Sequence, residues 1–216
     1  MTVKRVIFIR PGETDWNRDL RFQGWVAVPL NEHGKRQVQR LANFIRNIGS
    51  SALYTSDLKR ALETADILAD KLGFTPFPDA RLRERDIGSW QGLTQKEIEA
   101  WYPAEYQQFR AEPDTYRVPQ GESRKEVRER MLKLFDDILM QDKGETIAVI
   151  SHSTAINALL SNIIPNIVFG SVDVSNTSVT TIKRDDQGVW QLVAADDVTH
   201  LEGMPSQKVQ ELEEST

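Results

Sequence analysis

Two segments of this chain, Val3 to Ile9 and Thr146 to Ile150, carry apolar runs with no polar alternation; the first contains Val6-Ile7-Phe8-Ile9. Such runs mark strands covered on both faces, as in a parallel sheet. Ala52-Leu53-Tyr54-Thr55 is a third, weaker strand candidate. Each is followed by a helical pattern. Val127, Met131, Leu134 and Ile138 fall on one helical face, and Ser123-Arg124-Lys125-Glu126 opens that helix as a capping box. Thr94-Gln95-Lys96-Glu97 opens another. Ser178 to Lys183 and Val189 to Ala194, joined by Asp185-Asp186-Gln187-Gly188, predict a hairpin. Strands alternating with helices predict an α/β fold: a three-layer α/β/α sandwich around a mostly parallel central sheet.

No repeat or composition shift divides the chain, so 1–203 reads as a single domain. Within it, about 94–120 is rich in aromatics and prolines and reads as a small cap over the sheet edge; 204–216 reads as a loose acidic tail. The chain has 216 residues, enough for one well-buried core, with 27% charged residues and a net charge of −5. Mild acidity argues against a nucleic-acid partner, which would call for a clustered basic surface. Without cysteine there is no disulfide framework and no thiolate chemistry. The first apolar run is too short for a signal core or a membrane span, so a cytoplasmic protein with no membrane partner is expected. A homodimer through the sheet edge is compatible with the pattern.

Ligands of open parallel sheets bind beyond the carboxyl ends of the strands. Three segments fall there: Arg10, Ser56-Asp57-Leu58-Lys59-Arg60, and Ser151-His152-Ser153-Thr154 at a strand-to-helix junction. Two arginines, a histidine and a helix N-terminus on one rim describe a site for a phosphate-sized anion. Taken singly, each has an ordinary structural reading. His33, His152 and His200 are far apart in sequence and give no metal-ligand spacing. His33 reads as solvated surface before a helix, His200 as structural, Trp90 and Trp190 as packing, and Ser123 with Glu126 as capping.

In order and spacing the chain resembles the histidine phosphatase superfamily, the phosphoglycerate-mutase-like enzymes. The resemblance is carried by Arg10-Pro11-Gly12-Glu13-Thr14 with Asn17; Arg21-Phe22-Gln23-Gly24-Trp25; Ser56-Asp57-Leu58-Lys59-Arg60-Ala61; Leu82-Arg83-Glu84; Gly121-Glu122-Ser123; Ser151-His152; and Asn176-Thr177-Ser178. It implies that Arg10, Arg60 and His152 clamp phosphoryl oxygens, with Asn17 and Ser153 assisting. It implies Glu84 as proton donor to the leaving oxygen and later as the base on water, which burial beside phosphate would favour. Gln23, Gly24 and Arg110 are weaker candidates for contacting the rest of the ligand; Arg110, Arg117 and Tyr102 read equally as surface charge and packing. No cofactor and no metal are implied.

The resemblance departs at one position. Where the family signature reads Arg-His-Gly-Glu-Thr, with the histidine as nucleophile, this chain has Pro11. Proline suits the backbone there, fixing φ near that of a first helical turn and favouring an extended Arg10. It cannot take a phosphoryl group. Losing the nucleophile of a coupled site has cost on the order of 10⁶ in rate in a protease, roughly 8 kcal/mol of barrier. The expectation is a pseudo-phosphatase that binds a small phosphorylated molecule or inorganic phosphate. The alternative is an active phosphomonoesterase or mutase-like enzyme, working through His152 or through water activated by Glu84, or one in which Pro11 replaces a parental histidine. The short segment between Gly92 and Gly121 favours the phosphatase branch, acting on small phosphoesters.

Overall fold

The structure, a computed structural model, describes residues 3–47, 49–73, 75–141 and 143–204. The expected tail lies outside the described residues apart from Met204. Among the described residues six strands form one sheet in the order β3-β2-β4-β1-β5-β6. They are β1 (Arg5–Ile9), β2 (Ala52–Thr55), β3 (Phe77–Pro78), β4 (Thr146–Ile150), β5 (Val179–Arg184) and β6 (Trp190–Asp197). The β1–β4, β2–β4 and β2–β3 pairs are parallel, and β1–β5 and β5–β6 are antiparallel. The expected sandwich with a mostly parallel sheet is the one observed. Strand boundaries match at β2 and β4. At β1 the strand begins at Arg5, although Val3 is fully buried.

Alternate side chains of the apolar runs serve the two faces, which is why no alternation shows in the sequence. Val6, Phe8, Tyr54, Ile147 and Val149 pack with α6 (Arg124–Met140) and α7 (Ser153–Ile163). Ile7, Ile9, Leu53, Ala148 and Ile150 pack on the other face with α2 (Glu32–Phe44) and α3 (Lys59–Leu72). The predicted stripe of α6 is buried throughout, Val127, Met131, Leu134 and Ile138 each being at most 2% exposed. Burial of each such side chain contributes about 1.5–3 kcal/mol. The Ser123–Glu126 capping box, with Ser123 N–H donating to Glu126 Oε2 at 2.8 Å, adds about 1 kcal/mol. Packing holds this helix and the cap fixes where it starts. Among the described residues no helix is long and apolar enough to cross a membrane.

The region read as a cap forms α4 (Gln95–Trp101) and α5 (Pro103–Ala111). Trp90, Ile98, Tyr116 and Val118 are its buried centre, with Tyr102, Tyr106 and Phe109 against them. Both tryptophans expected to pack do so: Trp90 stacks on Tyr116 at 6.1 Å, and Trp190 meets Phe135 edge-on at 5.4 Å.

His33 departs from expectation: it is 7% exposed rather than solvated. Asn31 caps α2, its Oδ1 accepting Gly34 N–H at 2.7 Å, so His33 sits inside the first helical turn and is covered there.

The start of α2 also fixes the segment after β1. A Cβ on Gly34 would lie 2.1 Å from Glu13 O and 2.6 Å from Glu13 N, and one on Gly12 would lie 2.7 Å from Gly34 O. Two bare backbones touch here. In an open helix interior, replacing glycine by alanine gains about 1 kcal/mol. Here the sign reverses: Gly34→Ala is expected to destabilise by about 1–3 kcal/mol, read as a lower urea midpoint. A midpoint at or above that of the native chain would contradict the close approach.

Candidate active site

The parallel ladder lines up the carboxyl ends of three strands. Ile9 pairs with Ile150, and Ile150 with Thr55. The hydrogen bonding runs one residue further on, Ser151 N–H donating to Ile9 O and Ser56 N–H to Ile150 O, both at 3.0 Å. Arg10, the 56–60 turn and His152 therefore emerge side by side, as the sequence predicts.

Arg60, in the first turn of α3, is 4% exposed and donates to Gly24 O at 2.9 Å and to Val26 O at 3.3 Å. Burial pushes its guanidinium down to about 10; Glu84 opposes the shift and Arg10 adds to it. Arg10 donates through Nη1 to Val174 O and is lowered by burial, against the pull of Glu84 and Asp196. Both remain cationic at neutral pH. Each feels Glu84, and Arg60 feels Arg10, so two like charges share one low-dielectric corner with a nearby carboxylate that attracts both.

His152 is 3% exposed and occupies the N-cap position of α7. Burial first, then Arg60, Arg10 and Arg130, hold it well below the usual imidazole range. It is neutral at neutral pH, and its Nε2 is buried without a hydrogen-bond partner. The positive charge of this site is thus that of the arginines, and the histidine adds none.

Glu84 lies between two fastened arginines. Arg83 forks onto Asp57 with two contacts of 2.6 Å and lies 4.6 Å from the Trp25 ring centroid. Arg85 donates to Glu122 O at 2.7 Å and Tyr116 O at 2.8 Å, and burial lowers it to about 10. The Glu84 carboxylate accepts Arg85 N–H at 2.7 Å and Thr154 N–H at 3.2 Å. One of the free N–H groups expected at the start of α7 is therefore taken by a side chain. Ser153, half-buried, is the first residue of that helix.

Pro11 is buried in the segment joining β1 to α1 (Asp15–Arg18), ahead of the helix rather than in its first turn. Its carbonyl accepts from Asn176 Nδ2 at 3.0 Å and from Thr177 N–H at 3.3 Å. Asn17 uses its amide oxygen for the Thr14 cap, at 3.1 Å, and for Asn176, at 3.3 Å. His200, read as structural, contacts Thr177 Oγ1 through Nε2 at 3.0 Å and packs on Phe44. Gly24 lends its carbonyl to Arg60, and the neighbouring Gln23 has a buried Oε1 with no partner. Arg110 lies exposed on α5, where its charge acts on Glu99, and Arg117 donates to Gly121 O at 2.6 Å. Asn176, Thr177, Trp25 and Arg130 also contribute to this corner, and none of them stands out individually in the sequence as a site residue. Their partners are mostly backbone carbonyls, which leave no mark in a sequence.

A cavity of about 440 Å³ opens beside Arg10, Ser153 and Thr154, and its walls continue through Asn157, Phe169, Val172, Asp173, Val174 and Asp196. Arg60, Glu84 and His152 lie outside its lining. Among the described residues no group of three or more His, Asp or Glu side chains is placed to hold a metal ion.

Residues 6–198 match the histidine phosphatase superfamily (branch 1). Phosphoglycerate mutase-like protein 4 of Arabidopsis thaliana is 35% identical over 200 residues, covering 91% of this chain and 86% of its own. The structure of YhfR from Bacillus stearothermophilus superposes with a TM-score of 0.82 at 33% identity, covering 92% of this chain and 99% of its own. A mutant phosphoserine phosphatase from Entamoeba histolytica, with a histidine changed to alanine and in complex with phosphoserine, gives a TM-score of 0.80 at 26% identity and covers 91% and 98%. The fold, the aligned strand ends and these matches together show that the chain belongs to the histidine phosphatase superfamily.

Proposed function

We propose that this protein is a pseudo-phosphatase that binds a small phosphorylated molecule, or inorganic phosphate, and does not turn it over. The observation that carries the reading is the pair of buried Arg60 and half-buried Arg10; in this reading the adjacent Pro11 occupies the position where the family signature has its nucleophilic histidine. Two desolvated cations that repel each other gain most from a dianion, because each added negative charge offsets a desolvation cost already incurred. Arg10 and Arg60 would hold the phosphoryl oxygens. Asn17 would offer its amide N–H groups, Ser153 its backbone N–H and hydroxyl, and the neutral His152 a ring nitrogen. Glu84 would face the ester oxygen. The Entamoeba complex supports this reading, since in that protein a chain with a histidine removed still holds a phosphoester.

A second reading is favoured by the state of His152. A neutral imidazole with an unpartnered buried nitrogen is the form able to attack phosphorus. In that route the ring nitrogen bonds to phosphorus and the P–O bond to the alcohol breaks. Glu84 in its acid form protonates the departing oxygen, and water then releases phosphate from the histidine.

Titration calorimetry of the native chain with inorganic phosphate is expected to show saturable heat. Arg60→Met is expected to weaken binding roughly 10- to 150-fold, the worth of a charge-assisted contact of about 1.5–3 kcal/mol. No heat from the native chain would overturn the binding reading. Hydrolysis of an aryl phosphate by the native chain, abolished by His152→Ala, would establish the second reading in its place.

A further inference from the structure

Glu84 sits on residues 83–87, a stretch without helix or strand between two short 3₁₀ turns. The carbonyls of such a segment have no ladder to join, so something else must fix its course. Arg130, from the middle of α6, does so. Its Nη1 donates to Arg81 O at 2.8 Å and Arg83 O at 2.7 Å, and its Nη2 to Glu84 O at 2.9 Å. The remaining donors fork onto Glu122, Nε to Oε1 and Nη2 to Oε2, both at 2.9 Å. A guanidinium has five N–H donors in a rigid plane, and all five are spent. Arg130 therefore has none left for a ligand, although its charge reaches His152.

The partner is anchored as well. Glu122 Oε2 accepts Asp86 N–H at 3.0 Å, and Glu122 N–H donates to Asp86 O at 2.7 Å. The Arg130–Glu122 pair thus holds the segment on both sides of Glu84, and Trp25 Nε1 adds a second donor to Glu84 O at 2.6 Å. With the backbone held this way, the Glu84 carboxylate reaches Thr154 N–H at the start of α7.

We propose that Arg130 is a positioning residue that sets the Glu84 carboxylate against the first turn of α7, through three backbone carbonyls. The role given to Glu84 rests on the phosphate-site reading; the placement of its carboxylate does not. Lysine cannot replace the fork, because its three donors radiate from one point and cannot span three carbonyls and a carboxylate in one plane.

The test uses the full chain labelled with ¹³C at the glutamate side-chain carboxyl, with the Glu84 resonance assigned through Glu84→Gln. Its pH titration is followed in the native chain, Arg130→Met and Arg130→Lys, alongside melting temperature and phosphate calorimetry. Both variants are expected to move the Glu84 shift and titration midpoint, methionine more than lysine. Should Arg130→Met fail to fold, Arg130→Lys alone decides. A fall in melting temperature with the Glu84 titration unchanged would reduce Arg130 to a structural tie and overturn the proposal. If the titration moves while the native chain gives no heat with phosphate, positioning stands and the phosphate reading falls. Normal heat with an unmoved Glu84 titration would overturn the positioning role and leave the phosphate reading standing.

Discussion

Burying a guanidinium removes hydration that only hydrogen bonds and opposite charge can replace, and in one corner this chain does so fully at Arg60 and in part at Arg10. Arg60 sits within the field of Arg10, and both within that of Glu84. Much of the surrounding architecture serves that arrangement. Gly24 O, Val26 O and Val174 O turn towards the two arginines. The strand ladder holds the segments after β1 and β4 in fixed register. Glu84 is fastened by its neighbours on either side and by Arg130 from α6. Under the proposed function a bound anion would join Glu84 in offsetting the desolvation cost of the two arginines.

The parts of the fold that announce themselves in sequence are those governed by burial and capping. Val6-Ile7-Phe8-Ile9 and Ile147 to Ile150 read as strands because both faces are covered, and the stripe from Val127 to Ile138 reads as a helix because one face is. Residue identity, rather than pattern, points to Arg10, Arg60 and His152, and the parallel register then brings them together. β3 is only Phe77–Pro78, too short for any periodicity to register. His33 looks like loop surface until the Asn31 cap is placed, because that cap decides where α2 begins. Arg130 looks in sequence like one more charge on the polar side of a helix. Its acceptors are main-chain oxygens of residues 81, 83 and 84, and any sequence supplies those.

Pro11 fits this setting without disturbance. It needs no donor, its carbonyl is taken by Asn176 and Thr177, and the loop it belongs to is fixed by the contact of Gly12 with Gly34. Structure and chemistry are separable at this position. The fold tolerates proline because the constraints on the loop come from neighbouring groups, while any nucleophilic chemistry would depend on the side chain alone.

That separation is tested most directly by assaying the native chain beside its Pro11→His variant on a generic aryl phosphate and a small panel of sugar and glycerate phosphates. Turnover is expected from the variant, and none above background from the native chain. Equal activity of the two would contradict the separation and move the nucleophile to His152 or to water activated by Glu84. Inactivity of both would show that the loss runs deeper than one residue.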